Sequence, residues 1–310
     1  MIIVKNRNVF FVITGAIVLA AIISVATFGL RLGTDFTGGT LVQATYAGGR
    51  PAPEALQQSL DTAGFKGYSL REANTSDYIL RTGSLTNDQR GNLPKILSIG
   101  TNTAAIAQLT EVGPTIGTEL RNKAWIALVM VLLCILLFIA FAFRKVSQPV
   151  SSWIYGLIAL VTLVHDVIVP VGFYAALGHF LGAQVDTLFV TAVLTVLGFS
   201  IHDTIVVFDR VRENLRVNHE RNRREDFAET AGRSLQQTFV RSINTSLTVL
   251  FTLLVLFLIG PASTRDFALT LLVGIIAGTY SSIFLATGAI SSATNSRSIR
   301  RRAMYSGGRS

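Results

Sequence analysis

Residues 124–143 read AWIALVMVLLCILLFIAFAF, twenty apolar positions without a charge. That is the length a helix needs to cross a hydrocarbon core of about 30 Å. Five further stretches are of comparable length and mainly apolar: Asn8–Leu30, Val150–Leu177, Thr187–Val207, Phe239–Ile259 and Phe267–Ile290. The chain has 310 residues, half of them hydrophobic, and a mean hydropathy of +0.51. A water-soluble domain of this length would have to expose much of that apolar surface, whereas six membrane spans remove it from water. The first span follows Lys5 and Arg7, as a secretory leader would. Its apolar run is too long for one, and Gly29-Leu30-Arg31-Leu32 is a poor cleavage site, so residues 1–30 read as a cytoplasmic start plus a retained anchor.

Basic residues set the orientation. They lie at Lys5 and Arg7, at Arg144 and Lys145, through the loop 210–237, and in the tail 291–310; the opposite short loops hold only Arg265. Both termini are therefore expected in the cytoplasm, with residues 31–123 outside. That outer segment carries nine basic and eight acidic residues. The net charge of +9 thus belongs to the cytoplasmic face, where positive-inside topology and contact with the anionic lipid bilayer account for it. No nucleic-acid partner is required. Part of the basic loop 210–237 reads as a solvated segment or an amphipathic helix lying on the membrane. The single cysteine, Cys134, allows no internal disulfide.

Residues 31–123 read as a small α+β domain. Strand patterns at Thr40–Tyr46, Tyr68–Ala73, Tyr78–Arg81 and Ala104–Val112 alternate with helical patterns at Pro53–Ala63 and Thr86–Leu97. The order β-α-β-β-α-β predicts a ferredoxin-like fold. The segment contains no histidine, no cysteine and no glycine-rich loop opening a helix, so neither catalytic nor phosphate-binding machinery is expected in it. Residues 124–290 then form the rest of the helical bundle.

Ionisable groups at membrane depth are costly and hence candidate sites. His165 and Asp166 fall in the third span, His202 and Asp203 in the fourth, and Arg241 near the start of the fifth. Asp203 stands out, about one turn inside the exit marked by Asp209-Arg210. It is read either as an ion-coupling carboxylate or as half of a packing ion pair, with Arg241 as counter-ion or snorkelling to the interface. Asp166 belongs to the same candidate set, or else serves only as an interhelical hydrogen-bond acceptor. Neighbouring residues on a helix diverge by about 100°, so each His-Asp pair offers at most one metal ligand and no metal site is expected.

Several longer motifs now carry a resemblance. Leu32-Gly33-Thr34-Asp35-Phe36-Thr37-Gly38-Gly39-Thr40 looks like the signature of the SecD/SecF family. Val112-Gly113-Pro114-Thr115-Ile116-Gly117-Thr118-Glu119-Leu120 is similar to the SecF pattern before the second span. Residues 198–214 (GFSIHDTIVVFDRVREN) resemble the family's fourth-span motif, and Ser234–Ser246 its entry to the fifth. The resemblance spans nearly the whole chain. It implies a six-helix half-unit of the RND superfamily in the bacterial inner membrane. Such a unit pairs with SecD beside the SecY channel and the ATPase SecA, and uses a proton or sodium gradient to assist late translocation of unfolded preproteins. On that resemblance the coupling pair maps onto Asp203 and Arg241, with a second carboxylate in SecD. The family usually has Asn where this chain has His202, a titratable neighbour that bears on Asp203. The sequence thus predicts a transporter subunit with no enzyme activity and no cofactor. Two rivals stand beside it: an RND-type efflux component, which would export a small molecule, and a passive translocon scaffold, in which neutralising Asp203 would leave gradient dependence unchanged.

Overall fold

The computed structural model describes residues 7–142, 152–223, 225–286 and 288. Helix α1 (Arg7–Phe28) leads through one short helical turn, α2 (Thr34–Thr37), into the sheet domain. The domain runs β1 (Gly39–Tyr46), α3 (Pro53–Thr62), β2 (Ser69–Ala73), β3 (Asp77–Thr82), α4 (Asn87–Leu97) and β4 (Ala104–Val112). Four long helices follow: α5 (Pro114–Ala142), α6 (Ser152–Leu181), α7 (Thr187–Glu220) and α8 (Phe227–Ile259). Helix α9 (Ala262–Tyr280) passes directly into a π-helical segment, Ser281–Ala286. Among the described residues, six helices are long and apolar enough to cross a membrane. The tail 291–310, the basic residues Lys5, Arg144, Lys145 and Arg224, and the ends of the expected third and sixth spans lie outside the described residues.

The sheet is antiparallel throughout, in the order β2-β3-β1-β4. Strand β3 inserts between β1 and β2, and β1 between β3 and β4, so the two β-α-β units interleave as the sequence predicts. Alternation decides which face does what. Val42, Ala44, Tyr46, Tyr78 and Leu80 point to the helix-covered side and join Leu56, Leu60, Leu93 and Leu97 in one buried core. Tyr46 and Tyr78 keep their hydroxyls satisfied inside it, donating to the Leu97 carbonyl at 2.9 Å and the Pro51 carbonyl at 2.8 Å. Helix α4 tolerates Gly91 and Pro94 because its start is firmly capped. Thr86 Oγ1 accepts from the Gln89 backbone N–H, and Gln89 Oε1 accepts from Thr86 N–H. The opposite face of the sheet carries Leu41, Ala73 and Ile79, which pack on Ala262 at the start of α9.

In the bundle, α9 is the central element, touching α6, α7 and α8, while α1 and α5 both pack on α6. Small residues set the closest approaches: an added methyl at Gly172 of α6 would collide with Ala21 of α1, and one at Gly274 of α9 with Val196 of α7.

The structure refines two expectations. Most of the segment 210–237 is helical rather than loop, because α7 continues to Glu220 and α8 starts at Phe227, while its arginine-rich middle, with Arg216, Arg221 and Arg223, is exposed as expected. The two helices form an antiparallel hairpin whose facing side chains bond each other. Asn214 Nδ2 donates to Ser234 Oγ at 2.8 Å, Asn218 Nδ2 to Thr230 Oγ1 at 3.0 Å, and Arg210 Nε to Gln237 Oε1 at 2.6 Å. Phe208, Val211, Phe227 and Ala231 fill the apolar layer beneath. Helices continue past the hydrocarbon boundary because the hydrogen-bond ladder propagates cheaply once begun. Likewise α5 starts at Pro114, ten residues before the expected span at Ala124, with Pro at the position where its missing N–H costs nothing.

The hairpin turn is fixed by Glu225, which accepts from Asn218, Thr230 and, at 2.6 Å, Arg233. Burial works to raise its carboxyl, but the Asn218 and Thr230 hydrogen bonds and the Arg233 charge outweigh it, leaving it below its ordinary 4.5. The folded state then binds this proton less readily than the unfolded chain. Its stabilisation is complete above pH 4.5 and is lost as pH falls through the lowered folded value. Glu225→Gln is therefore expected to lower the thermal midpoint of the detergent-solubilised chain at pH 7, with the gap from the parent closing below pH 4.5; a gap that widens in acid refutes the assignment. The same assay tests the glycines. Gly117→Val is expected to cost about 1–3 kcal/mol by overpacking against backbone, whereas Gly91→Ala, with open space around it, should gain about 0.5–1 kcal/mol.

Candidate functional site

Besides the hairpin cluster, two polar clusters among the described residues stand out, one inside the bundle and one where the sheet domain meets it. The inner one is centred on Asp166 of α6, which is fully buried. It accepts hydrogen bonds from Ser200 Oγ of α7 and from Ser281 Oγ at 2.8 Å, and is hydrogen-bonded to His165 Nδ1 at 2.7 Å. A second hydroxyl pair lies alongside, Thr204 Oγ1 and Ser282 Oγ at 3.1 Å. The helices come close enough for these short side chains to meet because α9 presents Gly278 to Ser200, where an added methyl would sit 3.0 Å from the serine Cβ. Ser281 and Ser282 open the π-helical segment, the first hydroxyl reaching Asp166 of α6 and the second the Ser200 carbonyl of α7.

Asp203 lies nearly one turn beyond Ser200 on α7 and is 7% exposed. Ser242 of α8 is its polar neighbour across the helix contact and His202 its nearest charge-bearing one. The Asp203 Oδ2 and the Ser242 Oγ are both buried, and neither completes a hydrogen bond among the described residues. Arg241 is exposed and makes no ion pair with Asp203 among the described residues, so the counter-ion expected from the sequence is not in place here. Asp166 and Asp203 thus differ sharply. One is saturated with donors from three helices, and the other keeps an oxygen free.

The face of the bundle beside Asp203 is polar and open. On α7 the exposed positions include Thr191, Thr195 and His202, and on α8 Arg241, Asn244, Thr245, Thr248 and Thr252. Most of the threonines donate to the carbonyl of the preceding turn, Thr191 to Thr187 and Thr252 to Thr248 for example, which keeps a hydroxylated stripe tolerable at membrane depth.

The junction cluster gathers the motif residues. Gly33 N–H donates to the Val185 carbonyl at 2.8 Å, and Val185 N–H to the Arg31 carbonyl at 2.7 Å, tying the exit of α1 to the α6–α7 connection. Asp35 accepts from the Thr187 backbone N–H at 3.0 Å and from its hydroxyl at 2.5 Å, at the first residue of α7. Phe36 is buried against Tyr174, Val185 and Phe189. Gly38 has a φ of +80°, and an added methyl would lie 2.8 Å from Pro114 Cα. Gly117 is equally constrained, 2.9 Å from the Gly38 nitrogen. Gly39 lies against the Thr82 backbone, and Gly113 accepts the first backbone bond of α5 from Gly117 at 3.0 Å. The two glycine motifs are therefore halves of one joint.

Charges complete this joint. Arg71 of β2 makes a two-pronged ion pair with Asp266 of α9, its Nη2–Oδ1 arm 3.0 Å long. Burial works to lower the Arg71 pKa, yet the Asp266 carboxylate outweighs it and keeps the guanidinium firmly charged. Arg81 of β3 is buried with its Nη1 unbonded, and burial lowers its pKa against the pull of Asp186 and Asp266. Asp186 caps α7 by accepting from Phe189 N–H at 2.8 Å, and burial raises its pKa.

The sequence singled out Asp166, Asp203, His202, Arg241 and the motif glycines. It missed the contributions of Ser200, Thr204 and Ser242, and the charges Arg71, Arg81, Asp186 and Asp266. Hydroxyls on apolar helices carry no periodic signal of their partners, and ion pairs 195 residues apart in the chain, such as Arg71–Asp266, leave no local pattern.

Comparisons with known proteins bear on both clusters. Residues 95–296 match the model of the family "Protein export membrane protein SecD/SecF, C-terminal", and residues 23–47 that of the "SecD/SecF GG Motif". The protein translocase subunit SecF of Thermobaculum terrenum is 42% identical over 303 residues, covering 92% of this chain and 91% of that one. The SecF of Vibrio alginolyticus is 34% identical, covering 90% and 85%. Among solved structures, a crystal structure of SecDF from Thermus thermophilus, described as a translocon-associated membrane protein, aligns with a TM-score of 0.80 at 32% identity. A crystal structure of SecDF in a super-membrane-facing form aligns with a TM-score of 0.65 at 31% identity. These cover 93% and 94% of this chain, which in turn spans only 38% and 39% of theirs.

The bonding around Asp166 makes a stability prediction. Asp166→Leu would leave the Ser200 and Ser281 hydroxyls and the His165 ring without their acceptor, at a cost of about 2–5 kcal/mol. Thermal unfolding in detergent should show a large drop for Asp166→Leu and a smaller one for Ser281→Ala. Equal stability in the parent and Asp166→Leu would refute the role.

Proposed function

Because the chain belongs to the SecD/SecF family of protein-export membrane proteins, we propose that it is the SecF-type half of a gradient-driven accessory machine for protein translocation. Asp203 carries this reading. It is a carboxylate in a helix that crosses the membrane, nearly out of contact with solvent, with one oxygen that no described donor satisfies. An ionised carboxylate in that setting is costly. A proton, a sodium ion or a partner's donor arriving at Oδ2 would therefore change the energy of the α7–α8 contact substantially.

The open polar face on α7 and α8 supplies both the approach and the place for the second half. Relatives in which a single chain named SecDF contains a stretch similar to 93% of this one support a SecD-type partner there. Arg241, exposed on that face, is positioned to meet the partner or an interfacial anion before it meets Asp203. His202, one residue from Asp203, is also exposed on that face. Further partners in this reading are a SecY-type channel, SecA and an unfolded preprotein on the outer side. The location is the bacterial inner membrane, with both termini cytoplasmic as the basic residues indicate. The chain acts without an enzymatic step and without a cofactor, and ion movement through the complex shifts the sheet domain relative to the bundle.

The test uses inverted membrane vesicles containing the chain with its SecD partner. Asp203→Asn is expected to remove the gradient-dependent part of preprotein translocation while insertion and co-purification with SecD persist. Undiminished gradient-dependent export by that variant would overturn the proposal.

A further inference from the structure

Helices α1 and α5 both lean on α6, and these helices line an apolar cavity of about 710 Å³. Val25 of α1 and Leu128 of α5 form its walls, and Val171 of α6 and Val193 of α7 its floor. Phe36 and Val185 roof the end nearest the sheet domain, held by the backbone bonds between Gly33, Val185 and Arg31. The volume lies within the ~300–1,000 Å³ of ordinary ligand sites. A cavity so lined has no partners for water and takes apolar matter.

One lining residue is charged. Arg121 lies on α5 about one turn before Trp125, at the edge of the apolar run that starts with Ala124. Lys123 is paired with Glu119 at 2.7 Å, but Arg121 joins none of the ion pairs formed among the described residues. Trp125, 63% exposed, flanks it in the manner of an interfacial belt residue. A guanidinium outside every ion pair among the described residues, at the edge of an apolar run and lining an apolar slot, is complementary to a molecule with an anionic end and a long apolar tail.

We propose that this cavity is a binding site for an anionic diacyl phospholipid of the leaflet next to the sheet domain, with an acyl chain in the slot and the phosphodiester on Arg121. The site is separate from Asp203 and does not depend on ion coupling. Because the lipid would touch Phe36 and Val185, it would brace the joint on which the sheet domain sits.

Trp125 reports on occupancy. The full chain carrying Trp153→Phe, which leaves Trp125 as the one tryptophan, is reconstituted in vesicles mixing phosphatidylglycerol and phosphatidylcholine. In each series one of the two lipids has brominated acyl chains, and Trp125 quenching gives the lipid composition at the site. Phosphatidylglycerol should be favoured about five-fold over phosphatidylcholine, as one well-placed cation provides. Arg121→Gln should reduce that preference to near unity, and Arg121→Lys should retain much of it. Equal affinity for the two lipids in the parent overturns the proposal, as does a preference untouched by Arg121→Gln. Failure of either brominated lipid to quench Trp125 also overturns it, since the slot would then be filled by protein.

Discussion

The carboxylate of Asp166 has three donors from three different places in the fold, and the bundle depends on that fact. Among apolar helices in lipid there is little hydrophobic drive to associate, so packing and hydrogen bonds must decide which surfaces meet. A buried carboxylate makes the choice costly to get wrong. It demands the Ser200 hydroxyl from α7 and the Ser281 hydroxyl from the end of α9, and both arrive only if Gly278 lets the helices approach. Register, tilt and the π-helical segment are thereby fixed together.

That satisfied site gives the unsatisfied one its meaning. Asp203 lies on α7, nearly one turn from Ser200, and its buried Oδ2 completes no hydrogen bond among the described residues, nor do the neighbouring Ser242 Oγ and, beside Asp166, the His165 Nε2. A scaffold with an incomplete acceptor responds to whatever completes it. The same contrast recurs at the sheet domain, where Asp35 and Arg71 are fully engaged while the Arg81 Nη1 is not.

Much of the architecture was legible in the residue pattern. The six apolar runs and the alternating strands predicted the helices and the interleaved sheet, because burial against lipid or core writes itself into hydropathy and period. Element ends were less legible: α7 and α8 continue well into polar sequence, since facing pairs such as Asn214–Ser234 sustain a hairpin that composition alone presents as a charged loop. Asp203 and Asp166 were conspicuous for their charge, but only packing could tell the saturated carboxylate from the unsaturated one. The motif glycines showed that some tight joint exists. That Gly38 and Gly117 are its two faces required the fold, for the contact joins residues 79 positions apart.

Helix α9 connects the two clusters along a straight path. Asp266, one turn from its start, holds Arg71 of the sheet, and Ser281, just past its last residue, holds Asp166. Nineteen residues at about 1.5 Å each make a stiff rod of roughly 28 Å. A rod pinned at both ends transmits axial displacement and torsion with little loss. In mechanical terms α9 is a strut with a π-helical turn adjoining one end, fastened there to the buried Asp166 cluster and at the other end to the sheet domain.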